Sequence, residues 1–254
     1  MKMPKILPNQ TFPNEIWKAL DSAYKFRERQ GVHVSDLVFP KKAYWRAINP
    51  DLKLSEREEQ EYRMREHGYW IAGEAHHEMI QRAFDYISTA VMEKEIKYDG
   101  VIAHVDLSIQ EGERIVENEI KSTRAKHLYT AETIPSHWID QLSMYVAIST
   151  QTANTDGIGR LTIFYLNLNE TELDPAAPPN QSVPWLSSFD FHWSAKELEN
   201  IRFDIKRRKN QLLTAIERKE PETLKECPRW LCPKCRYQRI CQTEPAKNTE
   251  KPNN

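Results

Sequence analysis

The apolar positions of the first 90 residues recur at intervals of three and four, which is the period of an amphipathic helix. Ser35 has the side chain and the position of an N-cap for the second of these helices. The pattern therefore predicts an N-terminal helical part, residues 1–90. Its predicted helices span residues 14–29, 36–47, 55–67 and 69–88.

From residue 91 the period changes to two, so we expect strands in this part of the chain. Alternating segments at 93–98, 101–109, 114–121, 161–168 and 189–193 are separated by helical patterns at 136–149 and 195–220. This order predicts an α/β protein with a mixed central sheet flanked by helices. Residues 169–188 contain four prolines and are expected to form a long loop.

The same pattern divides the chain into four regions. A core of sheet and helix is predicted for residues 91–194, followed by a long basic helix and a cysteine cluster in residues 195–241. The polar residues 242–254 are expected to be disordered. With the N-terminal helical part, this arrangement predicts one compact body carrying a cysteine-ligated C-terminal lobe.

Composition places the chain among cytoplasmic proteins. Hydrophobic residues make up 39% and charged residues 29% of its 254 positions, and it has no run of about 18 apolar residues that could span a membrane. The first residues also lack the apolar run of about 7 to 15 residues that a secretory signal needs. We therefore expect a cytoplasmic protein without a membrane partner.

The near-neutral net charge of −1 conceals a basic C-terminal quarter. Residues 196–241 hold 13 Lys and Arg against 7 Asp and Glu, and the densest run is Lys206–Lys209. Such a run suits contact with a phosphate backbone, and Lys41, Lys42, Arg207 and Arg208 are candidates for it. The commoner origin of such runs is an ordinary solvated helix face.

Two predicted strands form a hairpin that gathers polar side chains. Strict alternation puts His104, Asp106 and Ser108 on one face of the first strand, opposite Val101, Ala103, Val105, Leu107 and Ile109. In the second strand, Glu117, Glu119 and Lys121 share a face. A tight turn at Gly112 sets Asp106 opposite the region of Glu117 to Glu119, so Asp106, Glu119 and Lys121 are expected to converge.

Converging carboxylates repel each other unless a cation lies between them, and hard oxygen ligands favour Mg²⁺ or Mn²⁺. A bound ion would generate hydroxide from water and shield an incoming phosphate. Lys121 would then orient that water or stabilise charge developing on phosphorus. For a bare E-x-K pattern, the usual explanation is a solvated strand face.

The order of the motifs distinguishes these possibilities. Asp106, followed after 13 positions by Glu119-Ile120-Lys121, resembles the D…(D/E)-x-K core of the PD-(D/E)XK nucleases. Upstream, the sequence around His77 resembles the G-x-x-x-H-E helix of the RecB-like branch of these nucleases. Downstream, Gln141 and Tyr145 resemble its Q-x-x-x-Y helix, in which the two side chains lie one turn apart.

The resemblance assigns roles to these residues and implies the mixed sheet of this nuclease type. It implies a metal-dependent deoxyribonuclease acting as an exonuclease on single-stranded DNA ends, with recombination or CRISPR adaptation proteins as possible partners. The alternative is a DNA-binding or adaptor protein that keeps the fold without cleaving, against which the intact catalytic set argues. The implied metal ligands are His77, Asp106, Glu119 and the Ile120 carbonyl; Lys121 serves the attacking water, and Gln141 and Tyr145 position the strand.

All four cysteines of the chain fall in its last 28 residues, a spacing typical of metal-binding thiols. Cys232, Cys235 and Cys241 resemble the ending of the CRISPR-associated RecB-like exonucleases, which bind an iron–sulfur cluster. Phe39 occupies the position of their first cluster cysteine, and Ala103 replaces a glycine. Cys227 could supply the missing thiolate. A 4Fe–4S cluster is favoured over Zn²⁺, with four free thiols as the remaining alternative.

Overall fold

The computed structural model describes residues 30–59, 62, 73, 78–79, 82, 90–151, 155–166 and 186–243. The helix predicted for residues 14–29 and most of the predicted loop 169–188 lie outside these ranges. Of the helices predicted at 55–67 and 69–88, residues 55–59, 62, 73, 78–79 and 82 are described, and all of them except Ser55 are helical.

A mixed sheet forms the centre of the described part. Its strands are β1 (Val32–His33), β2 (Ala90–Tyr98), β3 (Val101–Glu111), β4 (Arg114–Thr123), β5 (Gly157–Tyr165) and β6 (Leu186–Trp193). Strand β3 pairs antiparallel with β2 and with β4, and β5 pairs antiparallel with β6, whereas β1 pairs with β3 and β4 with β5 in parallel. The predicted mixed sheet is therefore confirmed.

Helices pack against this sheet, and none within the described ranges is long and apolar enough to cross a membrane. The helix predicted at 36–47 is divided at Phe39, because a proline follows and disfavours helical backbone at the residue before it. The first half begins at Val34, so His33 rather than Ser35 precedes it. The helices are α1 (Val34–Val38), α2 (Pro40–Ile48), α3 (Ser136–Ser149), α4 (Ala195–Arg218) and α5 (Gln238–Thr243).

Helix α3 lies unusually close to β5 because that strand contains two glycines. A Cβ atom at Gly159 would lie 2.9 Å from Leu142 Cγ and from Val146 Cγ2, and a Cβ at Gly157 would lie 2.4 Å from Val146 Cγ1. Both distances are shorter than van der Waals contact. The absence of side chains at these positions therefore sets the height of α3 above the sheet.

The β3–β4 hairpin has the predicted register. Glu111 pairs with Arg114 across a two-residue turn in which Gly112 has a φ of 61°, a conformation that glycine adopts without steric cost. Ser108 pairs with Glu117, and Leu107 with Asn118. The turn thus returns the chain along β3 in the predicted register.

The predicted strict alternation along β3 is wrong between Val105 and Ser108. The β2–β3 ladder steps from Met92–Leu107 to Lys94–Val105 and skips Glu93, whose φ is 48°. Ser108 and Lys94 both contact Glu117, so they lie on the same side of the sheet. Because Lys94 pairs with Val105, Val105 and Ser108 face that same side. Accordingly, Val101, Ala103 and Val105 join the main core, whereas Leu107 and Ile109 pack with Ile120 in a separate cluster. Asp106 lies within this interruption.

The basic run of α4 is occupied by contacts within the protein. Arg208 donates two hydrogen bonds to Asp140 of α3, at 2.6 and 3.0 Å, and Lys209 reaches Asp99 in the β2–β3 turn at 2.5 Å. These contacts hold α4 to α3 and to the sheet. The four pairs are Lys206 with the Tyr98 ring, Arg207 with Asp204, Arg208 with Asp140 and Lys209 with Asp99.

Candidate active site

Three of the residues singled out by the sequence meet where β3 and β4 separate. Glu119 of β4 is 2% exposed, and its Oε1 accepts a hydrogen bond from Lys121 Nζ. Asp106 of β3 is half-buried, and its Oδ2 accepts a hydrogen bond from the backbone N–H of Ile120 at 2.7 Å. The two carboxylates and the ammonium group therefore form one contiguous polar site.

The position of this site follows from a fork in the sheet. The β3–β4 ladder ends at Leu107 and Asn118. Beyond that point, β1 pairs with Val101 and Ile102 of β3, and β4 continues beside β5. The Asp106 carboxylate joins the diverging strands by accepting the Ile120 N–H. A ladder hydrogen bond is thus replaced by a side-chain bond, which fixes the orientation of the carboxylate.

Lys121 is held as a cation by its acidic neighbours. Burial of the ammonium group lowers its pKa, but the charges of Glu119 and Asp106 and the hydrogen bond to Glu119 raise it more. The pKa of Lys121 therefore lies above its ordinary value. At neutral pH this residue is a hydrogen-bond donor and a positive charge, and it is not available as a general base.

Helix α3 supplies the fourth member of the site. Gln141 Oε1 accepts a hydrogen bond from Lys121 Nζ at 3.3 Å, and Gln141 Nε2 donates to the Tyr145 hydroxyl at 2.7 Å. Tyr145 is 5% exposed, one turn further along the helix. The buried hydroxyl therefore fixes the amide of Gln141 with its oxygen toward Lys121.

The other carboxylate on this face of β4 has a different role. Glu117 is 1% exposed and accepts hydrogen bonds from Ser108 of β3, from Ser149 of α3 and, at 3.2 Å, from Lys94 of β2. Donors from three elements stabilise the charged carboxylate inside the protein. Glu117 therefore ties α3 to the sheet, whereas Glu119 faces Lys121.

His137 was not predicted from the sequence as part of this region. It precedes Gln141 by one turn of α3, so His137, Gln141 and Tyr145 follow each other on one helix face. Burial and the charge of Lys121 lower the pKa of His137 to about 4. The four-residue spacing of the Q-x-x-x-Y motif, extended back by one turn, is the signal that could have identified it.

The described part of this site offers hard oxygen donors to a metal. His77, the predicted imidazole ligand, lies outside the described residues. Among those that are described, no group of three or more His, Cys, Asp or Glu side chains is close enough to hold a metal ion. The Asp106 and Glu119 carboxylates and the Ile120 carbonyl are nevertheless the ligand types that suit Mg²⁺ or Mn²⁺. The donor set fits such an ion.

The four cysteines line one small cavity against α2, together with Lys42 and Trp45, although no three of the sulfur atoms of these described residues are close enough together to hold a metal ion. The backbone N–H of Cys235 donates to the Cys232 carbonyl at 3.0 Å, which makes the Cys-Pro-Lys-Cys segment a tight turn. Residues 227–243, here called the cysteine lobe, carry Trp230, whose ring lies 6.2 Å from that of Phe39. Phe39 therefore packs beside this lobe.

Opposing influences act on these sulfur atoms. Burial raises the pKa of Cys227 to about 11 and also raises the pKa values of Cys235 and Cys241. Conversely, the backbone N–H groups of Lys42 and Tyr237 lower the pKa values of Cys227 and Cys235, and the charge of Lys41 lowers that of Cys241. N–H donors of this kind stabilise thiolates, and a bound metal deprotonates its thiol ligands outright.

Comparisons with known proteins agree with this geometry. The family model of the PD-(D/E)XK nuclease superfamily matches residues 28–242, and the chain belongs to this superfamily. The fold is also that of the crystal structure of SSO0001, with a TM-score of 0.51 and 16% identity over 94% of this chain and 98% of that one.

Two further solved structures are less similar. A phage-related exonuclease from Haemophilus somnus 129PT has a TM-score of 0.44 and 9% identity over 81% of this chain and 100% of its own. The alkaline exonuclease LHK-Exo from Laribacter hongkongensis has a TM-score of 0.41 and 14% identity, covering 82% of this chain and 97% of its own. A comparison with curated proteins gave no match.

Proposed function

We propose that the chain is a divalent-metal-dependent deoxyribonuclease that hydrolyses phosphodiester bonds as an exonuclease on single-stranded DNA ends. One observation carries the hydrolytic part: Lys121 Nζ contacts both the buried Glu119 carboxylate and Gln141, and the charge of Asp106 acts on the same ammonium group. Membership of the nuclease superfamily supports that chemistry. The preference for single-stranded ends rests on the resemblance of the motifs to RecB-like exonucleases.

Each residue has a distinct task in this proposal. Asp106, Glu119, the Ile120 carbonyl and His77 would hold Mg²⁺ or Mn²⁺, which when bound lowers the pKa of water and neutralises phosphate charge. Lys121 donates a hydrogen bond to the attacking water or to a phosphate oxygen. Gln141 holds the ammonium group in place, and Tyr145 acts through Gln141 by fixing its amide.

A second metal centre is proposed at the cysteines. Four thiols around one cavity, two of them approached by backbone N–H groups, would draw together to hold an iron–sulfur cluster or a zinc ion. The resemblance to the CRISPR-associated exonucleases favours the cluster. This centre would stabilise the lobe and take no part in hydrolysis.

Cleavage assays on linear and circular DNA, with Mn²⁺ or with chelator, test the nuclease. We expect wild type to degrade linear single-stranded DNA only with metal and to leave circles intact. Asp106→Asn and Glu119→Gln should reduce the rate to background because they remove ligand charge without changing side-chain volume. Lys121→Met should lose about 10²-fold or more in kcat while metal binding is retained. Glu113→Gln, in the exposed β3–β4 turn, is the matched control and should remain active.

The outcomes separate the candidate functions. Metal-independent cleavage, or full activity in the folded Asp106 and Glu119 variants, would contradict the proposed site. Binding of DNA with no cleavage under any metal condition would instead favour the non-cleaving DNA-binding or adaptor protein. Cutting of circular DNA would identify an endonuclease and overturn the exonuclease assignment.

A further inference from the structure

Three aromatic side chains from separate parts of the chain form a cluster beside the candidate active site. The His137 ring lies 5.6 Å from that of Phe39 and 5.3 Å from that of Trp230, and Phe39 and Trp230 are 6.2 Å apart. Trp230 is 51% exposed, which is unusual for so large an apolar side chain. We call these three residues the aromatic patch.

The patch continues the row that Gln141 and Tyr145 form on α3. His137 precedes Gln141 by four residues, a separation of about 6 Å along a helix axis. Gln141 contacts Lys121, and the charge of Lys121 in turn acts on His137. The patch therefore lies about one helical turn beyond the residues that would contact the scissile phosphate.

The chemistry of the patch suits a flat, uncharged ring with a phosphate nearby. Burial and the charge of Lys121 keep His137 neutral at physiological pH, so all three rings present apolar faces. The exposed Lys225 acts electrostatically on His137, as does Asp140, whose charge is paired with Arg208. Arg229, next to Trp230 in the sequence, is exposed as well. Aromatic faces flanked by cations are how proteins bind unpaired nucleotides, by stacking the base and pairing with the backbone.

We propose that the aromatic patch stacks an unpaired nucleobase of the DNA strand whose phosphate lies at Lys121, with Trp230 as its principal face. The inference rests on the proposed nuclease function and adds a determinant of substrate class. In an intact duplex both faces of an internal base are covered by its neighbours, so a stacking site next to the catalytic residues selects strands with unstacked bases. The patch would thereby explain a preference for single-stranded ends.

Binding of a short fluorescein-labelled single-stranded oligonucleotide, measured by anisotropy without added Mg²⁺ or Mn²⁺, tests this proposal without cleavage. Because base–aromatic stacking contributes strongly to the affinity for unpaired strands, Trp230→Ala should weaken binding about tenfold. Trp230→Phe should restore most of the affinity because it keeps an aromatic face. Phe203→Ala, which removes a 71% exposed ring on α4, is the matched control and should bind like wild type.

An oligonucleotide with abasic sites separates stacking from charge. Wild type should lose about as much affinity on the abasic strand as Trp230→Ala loses on the normal one, and Trp230→Ala should not distinguish the two strands. Equal binding of the normal oligonucleotide by wild type and Trp230→Ala overturns the proposal. So does a Trp230→Ala variant with the circular dichroism of wild type that loses the same affinity, relative to wild type, on the normal and on the abasic oligonucleotide. So does failure of wild type to bind the oligonucleotide.

These measurements also separate the patch from the nuclease. Base-dependent binding by a protein that cleaves nothing with Mn²⁺ would remove the proposed function and leave the stacking site. Cleavage by wild type, together with full affinity of the Trp230→Ala variant for the oligonucleotide, would remove the stacking site and leave the proposed nuclease function.

Discussion

At the scale of single residues, local hydrogen-bond donors decide what each carboxylate does. Glu117 and Glu119 are two positions apart on β4, and both are buried. The hydroxyl groups of Ser108 and Ser149 donate hydrogen bonds to Glu117, so its carboxylate joins α3 to the sheet. Glu119 is adjacent to Lys121. The sequence predicts that both face the same side and assigns Glu119 to the site, but it does not predict the role of Glu117, because the serines come from other elements.

His137 is expected to make the protein less stable in acid. Its pKa in the folded protein is about 4, against an ordinary value of 6.5, because burial and the charge of Lys121 oppose protonation. Between these values the unfolded chain binds the proton more readily, so the free energy of unfolding falls as the pH falls from about 6.5 toward 4. His137→Phe removes this contribution. Urea unfolding across that range should show a smaller pH dependence in the variant.

The imidazole signal in an NMR titration is the direct check on this expectation. A midpoint near the ordinary value, or equal pH dependence of unfolding in the two proteins, would show that the ring is solvated.

At the scale of elements, α3 organises the site because one helix face carries several functions. Ser149 at its C-terminal end binds Glu117, Gln141 contacts Lys121, and His137 joins the aromatic patch. The distance between α3 and the sheet sets whether Gln141 reaches Lys121. That distance depends on Gly157 and Gly159 of β5.

Gly159→Ala should therefore impair both stability and turnover. The added methyl group would lie 2.9 Å from Leu142 Cγ and Val146 Cγ2, so α3 must move outward. Overpacking of this kind costs about 1–3 kcal/mol, and the movement separates Gln141 from Lys121. Thermal unfolding and kcat are the measurements. Unchanged kcat in a destabilised variant would mean that Gln141 is not needed to hold Lys121.

The sequence predicts the elements whose pattern is long and regular. The β3–β4 hairpin, α3 and α4 were predicted with nearly the observed bounds, because alternation or helical spacing persists through each of them. The two-residue strand β1 is too short to show a period. The strand β5 begins at Gly157 rather than at the predicted Leu161, because its glycines interrupt the apolar pattern.

Part of the site depends on packing that no local pattern contains. The convergence of Asp106, Glu119 and Lys121 follows from the hairpin and was predicted. The interruption at Asp106 was not, because it depends on the backbone of Glu93 and on β1 and β4 occupying the same edge of β3. The aromatic patch likewise requires Phe39 and Trp230, which are far apart in the sequence, to meet on α3.

At the scale of the whole molecule, the cysteine lobe contacts the N-terminal helices. Arg236 donates to the Leu52 carbonyl at 2.7 Å and pairs with Glu59, while Lys41 of α2 pairs with Glu226 at 2.5 Å. The cavity lined by the cysteines lies against α2. The lobe therefore joins the C-terminal end of the described chain to its N-terminal helices.

Removing any one cysteine should loosen this lobe before it affects hydrolysis. A four-thiolate centre contributes its binding free energy to folding, so Cys227→Ser, Cys232→Ser, Cys235→Ser and Cys241→Ser should all lower Tm and the metal content. Anaerobic purification with metal analysis identifies the centre: iron and sulfide for a cluster, one zinc per chain for a zinc site. Wild-type Tm and metal content in the Cys227 variant alone would exclude it as a ligand.

The ion pairs of α4 also determine how the molecule responds to salt. The cations of its run Lys206–Lys209 face Asp99, Asp140, Asp204 and the Tyr98 ring, and the chain as a whole has a net charge of −1. These four positive charges therefore contribute little to displacing the counterions condensed on a nucleic acid strand. The run should add little to the salt dependence of affinity for such a strand, and little to the long-range attraction that a uniformly basic surface provides.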